Sequence, residues 1–150
     1  MAIDIERLLR RVVADVFDDD VKAIYSADPK SRHVHRVRLS SESEGQRHAG
    51  LRASYWWFEA TIFDLAVSTF LVDEDDDEED KEAALRDLAL VVRACLRGEG
   101  RVEESRGLFR SRPVLTIEVD GREWELGRRT SRVSPSLELW VGPGSSQAGR

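Results

Sequence analysis

The dipeptide Asp120-Gly121 limits what this chain can fold into more than any other feature of its sequence. It separates two stretches in which apolar and polar residues alternate. Asp-Gly between such stretches is the strongest short signal for a two-residue β-hairpin turn, because both central residues need a positive φ. The turn fixes the register, and we expect two opposed pairs of side chains on one buried face: Ile117 with Trp124, and Leu115 with Leu126.

Two other stretches carry the three- and four-residue apolar spacing of amphipathic helices. Asp4 is placed to cap the first helix, which should end near Asp18–Asp20 because acids are unfavourable at the negative end of a helix dipole. The second helix is predicted over residues 77–97, and Gly98 stands where a left-handed C-terminal cap belongs. The predicted buried stripes are Ile5, Leu8, Leu9, Val12, Val13, Val16 and Phe17, and then Leu85, Leu88, Val91 or Val92, and Cys95 or Leu96.

Residues 33–40 alternate in the manner of a β-strand. Because successive side chains of a strand point to opposite faces, His33 and His35 should share one face with Val37 and Leu39. This arrangement would present two imidazole groups on the same side of a sheet.

The stretch 51–72 is long enough for a helix, but its aromatic and β-branched residues favour extended structure. We therefore predict two strands, about 52–62 and 65–72, joined near Phe63-Asp64. The polar segment 40–50 before them is predicted to be a loop. Further strands are predicted at 101–106, 114–119, 122–126 and 137–141.

The order helix, strands, helix, strands predicts an α+β fold. We expect an antiparallel sheet of about five to six strands with two main helices packed on one face. With 150 residues, 41% of them apolar, the chain can build one core without a metal or a disulfide. We expect a single domain over residues 1–141 and a flexible tail over 142–150.

The single cysteine, Cys95, excludes an internal disulfide framework and is typical of a reducing compartment. The N-terminus lacks the apolar block of a signal peptide, and no uncharged apolar run is long enough to span a membrane. The sequence therefore predicts a cytoplasmic protein that has no membrane partner.

The net charge of −6 is concentrated in one place, the run Asp73–Asp80, which holds eight acidic residues. Without them, 21 of the 29 acidic residues remain against 23 basic ones, so the rest of the chain is nearly neutral. A neutral body with one acidic cluster is unlike a nucleic-acid-binding protein, and we expect no nucleic-acid partner.

The acidic run does not fit a calcium-binding loop of the EF-hand type. Counted from Asp73, position 6 is Glu78 where glycine is needed, and position 12 is Ala84 where a bidentate glutamate is needed. Two interpretations remain: a solvated helix entry that interacts with the helix dipole, or a patch that binds a protein partner. The candidate partner-binding acids are Asp73, Asp75, Asp76, Asp77 and Glu78.

Four consecutive aromatic residues, Tyr55 to Phe58, must divide between the two faces of a strand. We expect Trp56 and Phe58 to line the core, and Tyr55 and Trp57 to face outward together with Glu59. Outward tryptophan and tyrosine are typical anchors at protein interfaces. The other interpretation is that this second face is itself covered by another part of the chain.

The sequence shows no catalytic motif, and we expect neither enzymatic activity nor a cofactor. Cys95 falls on the apolar stripe of a helix, where a thiol is usually an inert core residue. His33 and His35 could present two ligands to a metal, with His48, Cys95 or a carboxylate as a third, but no zinc-site spacing supports this. We therefore expect no metal.

As a class, small acidic α+β domains without a catalytic motif resemble the immunity proteins that bacteria keep against toxins. The resemblance implies a protein that occludes a basic partner, with Asp73–Asp80 providing electrostatic steering and Trp57 and Tyr55 the apolar anchor. Two alternatives remain at this point. The chain could be a metal- or small-molecule-binding protein that uses the His33/His35 strand face, or an interaction subunit of a larger assembly. The sequence leaves the oligomeric state open.

Overall fold

A computed structural model of the protein describes residues 3–41, 47–106 and 111–127. Two helices and eight strands follow one another along these residues. The elements are α1 (Ile5–Val16), β1 (Val21–Asp28), β2 (Ser31–Ser41), β3 (His48–Ala53), β4 (Trp57–Ile62), β5 (Val67–Val72), α2 (Glu78–Leu96), β6 (Arg101–Arg106), β7 (Ser111–Val119) and β8 (Arg122–Leu126).

The first five strands form an antiparallel sheet in which each strand pairs with the next one in the chain. Strands β6, β7 and β8 form a second, smaller antiparallel sheet. The two sheets meet where the backbone N–H of Ser68 donates to the carbonyl of Gly127 at 2.9 Å. Both helices pack on one face of the five-stranded sheet, and the small sheet adds to the same core. The predicted α+β fold class, with helices on one face, is confirmed.

The helices begin and end where the sequence predicts. The Asp4 side chain accepts a hydrogen bond from the Arg7 backbone N–H at 3.1 Å, and the Asp77 side chain caps α2 in the same way. The buried stripe of α1 holds six of its predicted members, while Phe17 lies just past the helix and is half-buried. Gly98 has a φ of +84°, which is the left-handed conformation expected after a helix.

The Asp120-Gly121 hairpin also forms as predicted. Both central residues have positive φ, +53° and +78°, as a type I′ turn requires. Ile117 pairs with Trp124 and Leu115 with Leu126. All four side chains are buried in the core, so the turn sets the register of β7 and β8.

Three strand predictions were wrong in part. Strand β1 was not predicted; it lies partly exposed at the edge of the sheet. Strand β3 begins at His48, inside the predicted loop 40–50. The predicted strand 52–62 is divided by a turn at Ser54–Trp56, which the sequence marks with neither glycine nor proline. The predicted strand 137–141 and the tail 142–150 lie outside the described residues.

The second face of the five-stranded sheet, opposite the helices, is buried at its centre and carries charge there. Arg52 is 0% exposed, and its guanidinium lies 3.2 Å from Asp28 Oδ2 and 3.3 Å from Glu59 Oε1. The same guanidinium lies 5.4 Å from the centre of the Trp57 ring. We call Asp28, Arg52 and Glu59 the buried ion cluster. Trp57 and Glu59 do point away from the helices, as predicted, but both are buried and the expectation of an outward surface was wrong.

Replacing Gly121 with valine should destabilise the fold. A Cβ atom at Gly121 would meet nothing within 4 Å, so we expect the cost to come from holding a β-branched residue at positive φ. We expect a loss of about 1–2 kcal/mol, seen as a lower Tm in thermal denaturation. Gly127→Val is the control, because that position is equally open and has no positive φ. Equal losses in the two variants would contradict the turn assignment.

Replacing Arg52 with methionine should destabilise the fold far more. The substitution fills a similar volume but leaves Asp28 and Glu59 as buried carboxylates without their cation. Breaking a buried pair from one side costs about 3–5 kcal/mol, which denaturant unfolding would measure. The triple variant Asp28→Asn, Arg52→Met, Glu59→Gln removes all three charges and should recover part of that loss. A harmless Arg52→Met single variant would overturn the role of the cluster.

Candidate interaction surface

The candidate site lies where two chain segments meet at one end of the five-stranded sheet. One is the turn Ser54–Trp56 between β3 and β4, and the other is the acidic segment Asp73–Asp77 between β5 and α2. The backbone N–H of Asp73 donates to the Trp56 carbonyl at 2.9 Å, which continues the β4–β5 pairing by one residue. The acidic segment is therefore held against the aromatic turn.

Lys81, in the first turns of α2, fastens the two segments together. Its side chain is fully buried, and its ammonium donates to the carbonyls of Tyr55 at 2.6 Å and Asp73 at 2.9 Å. Asp73 Oδ1 lies 3.4 Å from the same ammonium. The ammonium also lies 4.7 Å from the Tyr55 ring and 5.5 Å from the Trp56 ring, both favourable cation–π distances. A buried lysine is stable only when it is compensated in this way.

The acidic residues divide into two groups by their contacts. Asp73 and Asp77 make contacts within the protein. Asp73 contacts Lys81 and the Asp75 backbone N–H, and Asp77 caps α2. Glu78 is also engaged, because its carboxylate accepts from Arg11 of α1 at 3.1 Å. Asp73, Asp77 and Glu78 thus contribute to the structure, although Glu78 remains exposed.

Glu74, Asp75 and Asp76 make up the outward part of the acidic segment, and all three are exposed. Asp76 accepts a hydrogen bond from the Tyr55 hydroxyl at 2.8 Å, so this carboxylate is held next to the aromatic turn. Holding three carboxylates side by side concentrates negative potential at one end of the sheet.

Of the two adjacent tryptophans, Trp56 is exposed and Trp57 is buried. Trp56 is 51% exposed and packs edge-on against Tyr55 with ring centres 4.6 Å apart. Trp57 is only 8% exposed, so both its predicted outward role and the predicted core position of Trp56 were wrong. The turn interrupts the alternation assumed from the sequence, and Phe58 lies in the core as expected. We call Tyr55, Trp56, Glu74, Asp75 and Asp76 the acidic–aromatic patch.

A network of ion pairs between the helices fixes α2 and therefore the patch. Glu82 accepts from Arg86 and from Arg11, each at 2.7 Å, and these hydrogen bonds lower the pKa of its carboxyl group. Arg86 also reaches Asp15 of α1 at 3.2 Å. These pairs are partly exposed, so their effect is mainly on orientation and little on stability.

The three histidines are not brought together. His33 is exposed and His35 is half-buried, whereas His48 lies farther along the sheet, opposite Ser40, with Nδ1 3.7 Å from Asp64 Oδ1. Within the described residues, no three side chains of His, Cys, Asp or Glu are grouped as metal ligands.

Cys95 is fully buried in the core, as its place on the helix stripe predicts. Burial in apolar surroundings raises the pKa of its thiol to about 12. The thiolate form is therefore scarce at neutral pH, and this residue is unsuited to act as a nucleophile.

No protein-family model, curated protein or solved structure matches this chain. Neither helix in the described part of the chain is long and apolar enough to cross a membrane. The function proposed below therefore rests on the geometry of the site.

The Tyr55–Asp76 contact should be visible in a pH titration. The hydrogen bond to Asp76 favours the neutral phenol and raises the pKa of Tyr55 above the ordinary tyrosine value of about 10. Its contribution to stability is therefore complete below pH 10 and is lost as pH rises through the folded-state pKa. Asp76→Ala should lower the pKa of Tyr55, measured by tyrosinate absorbance in a Tyr25→Phe background. Asp75→Ala is the control, and equal titration curves for the two variants would contradict the contact.

Proposed function

We propose that the protein is a non-enzymatic binding module that recognises a protein partner with a basic surface through the acidic–aromatic patch. The observation that carries this proposal is the combination of a half-exposed tryptophan with three exposed carboxylates on one rigid segment. Tryptophan is enriched among the residues that contribute most to binding energy. The carboxylates supply the charge complementarity that a basic partner requires.

The two parts of the patch would contribute to different stages of binding. Glu74, Asp75 and Asp76 are exposed, and charges of this kind act mainly by steering a partner of opposite charge during encounter. Trp56 would then be buried against the partner and slow dissociation. The carboxylates should therefore set an association rate that depends on salt, and the apolar contact of Trp56 should set the dissociation rate.

The contacts of Lys81 favour a binding role for the patch over a purely structural role at the N-terminus of α2. To begin α2, the chain needs only the Asp77 cap and a few acidic residues near the positive, N-terminal end of the helix dipole. Here the acidic segment is also fixed to an aromatic turn through a buried ammonium with three oxygen acceptors. Such preorganisation reduces the conformational entropy lost on binding.

Within this function, we infer an inhibitor of the immunity type, which occludes the basic active-site cleft of a toxin. The inference rests on the resemblance of class described above, together with a patch that matches a basic cleft in charge. It assigns the chain no chemistry of its own and no cofactor. A cytoplasmic location is part of the same inference.

The test is a cross-linking capture followed by association kinetics. A photo-cross-linking residue at Trp56 would capture the partner from cells, and the purified partner would be titrated with each variant. Glu74→Gln, Asp75→Asn, Asp76→Asn should slow association about tenfold at low salt and flatten its dependence on salt. Trp56→Ala should leave association unchanged and accelerate dissociation about thirtyfold, as expected for an anchor worth about 2 kcal/mol.

A matched control removes the same charge elsewhere. Asp18→Asn, Asp19→Asn, Asp20→Asn neutralises three exposed acids between α1 and β1. This variant should keep at least half of the wild-type association rate. Equal association rates and equal salt dependence for wild type, patch variant and control would refute the binding role of the patch. Equally slow association in both variants would show that net charge, and not the patch, determines the rate.

A further inference from the structure

A second surface, distinct from the acidic–aromatic patch, carries the opposite charge. It is a groove of about 300 Å³ beside β1 and β2, on the sheet face that points away from the helices. The described side chains that line it on this face are Ser26, Arg36, Arg38 and Phe63. Its volume is at the lower end of the range of roughly 300–1,000 Å³ found for small-molecule sites.

The register of the sheet explains why these groups converge. Arg36 and Arg38 are two residues apart on β2, so both point to the same face with their Cα atoms about 7 Å apart. Ser26 is the cross-strand partner of Arg36, and Ile24 is the partner of Arg38. Ile24 is 52% exposed, so an apolar side chain lies next to the two guanidinium groups.

Neither arginine of the groove is neutralised by a carboxylate among residues 3–41, 47–106 and 111–127. Arg36 donates a long hydrogen bond, 3.4 Å, to the Ala27 carbonyl. The guanidinium carbon of Arg38 lies 5.1 Å from the centre of the Phe63 ring, a cation–π distance. A contact with a ring face uses no hydrogen-bond acceptor, so the N–H donors of the guanidinium are available to a ligand.

Two carboxylates on the same sheet face, Asp28 and Glu59, are engaged by other donors. Asp28 contacts Arg52 through Oδ2 and accepts from the Lys30 backbone N–H through Oδ1 at 2.8 Å. Glu59 faces Arg52 across the β3–β4 pairing, at 3.3 Å. The buried ion cluster thus uses its acids on Arg52, and the groove keeps a local positive charge.

We propose that this groove is a binding site for a small phosphate monoester. Two guanidinium forks and the Ser26 hydroxyl offer more donors than the two oxygens of a carboxylate can accept, and they match the three terminal oxygens of a phosphate. Phe63 and Ile24 supply apolar contact for the organic part of the ligand. Two arginines two residues apart on one strand span too short a distance to follow a nucleic-acid backbone.

The experiment is a titration of the full chain, followed in two-dimensional amide NMR spectra at constant ionic strength. The probes are phenyl phosphate, inorganic phosphate, benzoate and a short single-stranded oligonucleotide. We expect phenyl phosphate to bind saturably with Kd below about 1 mM, with shifts at Ser26, Arg36, Arg38 and Phe63. Inorganic phosphate should bind more weakly at the same residues, and benzoate more weakly still.

The variants separate a specific site from general attraction to positive charge. Arg36→Gln, Arg38→Gln should weaken phenyl phosphate binding at least tenfold. Arg36→Lys, Arg38→Lys, which keeps the charge and loses the forks, should weaken it several-fold. Arg7→Gln, Arg32→Gln removes two exposed arginines elsewhere and should change the affinity less than twofold. Circular dichroism establishes that each variant is folded.

Several outcomes would overturn the site. These are the absence of saturable binding up to about 10 mM phenyl phosphate, equal weakening in the Arg7/Arg32 control, or benzoate binding as tightly as phenyl phosphate. Tighter binding of the oligonucleotide, with the same dependence on Arg36 and Arg38, would show that the groove binds a nucleic acid and not a small phosphate monoester. The titration uses no protein partner, so its result is independent of the function proposed for the acidic–aromatic patch.

Discussion

Packing of α1 and α2 against one face of the five-stranded sheet holds every other feature of the molecule in place. The apolar stripes of both helices are buried on the sheet and on each other, and the small sheet of β6–β8 completes the same core. Burial of apolar area on this scale is the main source of folding free energy. It also fixes the start of α2, where Lys81 enters the interior and the acidic segment begins. The position of the acidic–aromatic patch is thus a consequence of helix packing.

Two buried cations show two ways to compensate a charge away from water. Lys81 is surrounded mainly by backbone carbonyls and ring faces, which order a turn and a connecting segment. Arg52 is paired with Glu59 of the adjacent strand β4 and with Asp28 of β1, two strands away, so its compensation depends on the register of the sheet. A shift of one residue in β3 would move Arg52 to the other face, and the buried ion cluster therefore favours one pairing over its alternatives.

The parts of the fold that depend on local chemistry were predictable from the sequence. Helix caps, apolar stripes and the Asp120-Gly121 turn are encoded within a few residues, and each was found where expected. The exposure of Trp56 and the burial of Trp57 were not predictable, because they depend on a turn that no glycine or proline marks. Lys81 and Arg52 were missed for a different reason. Their burial depends on partners 7 to 26 residues away in the chain that only the folded structure brings into contact.

The order of the strands has a consequence for the path by which the chain folds. Each strand of the large sheet pairs with its neighbour in sequence, so these contacts close only short loops and cost little chain entropy. Contact between α1 and α2 is different, since Arg11 and Glu82 are separated by 71 residues. The meander is therefore favoured to form early, and docking of the N-terminal helix is a late step that closes the core. Until that step, one face of the sheet exposes apolar surface, and aggregation competes with folding in that interval.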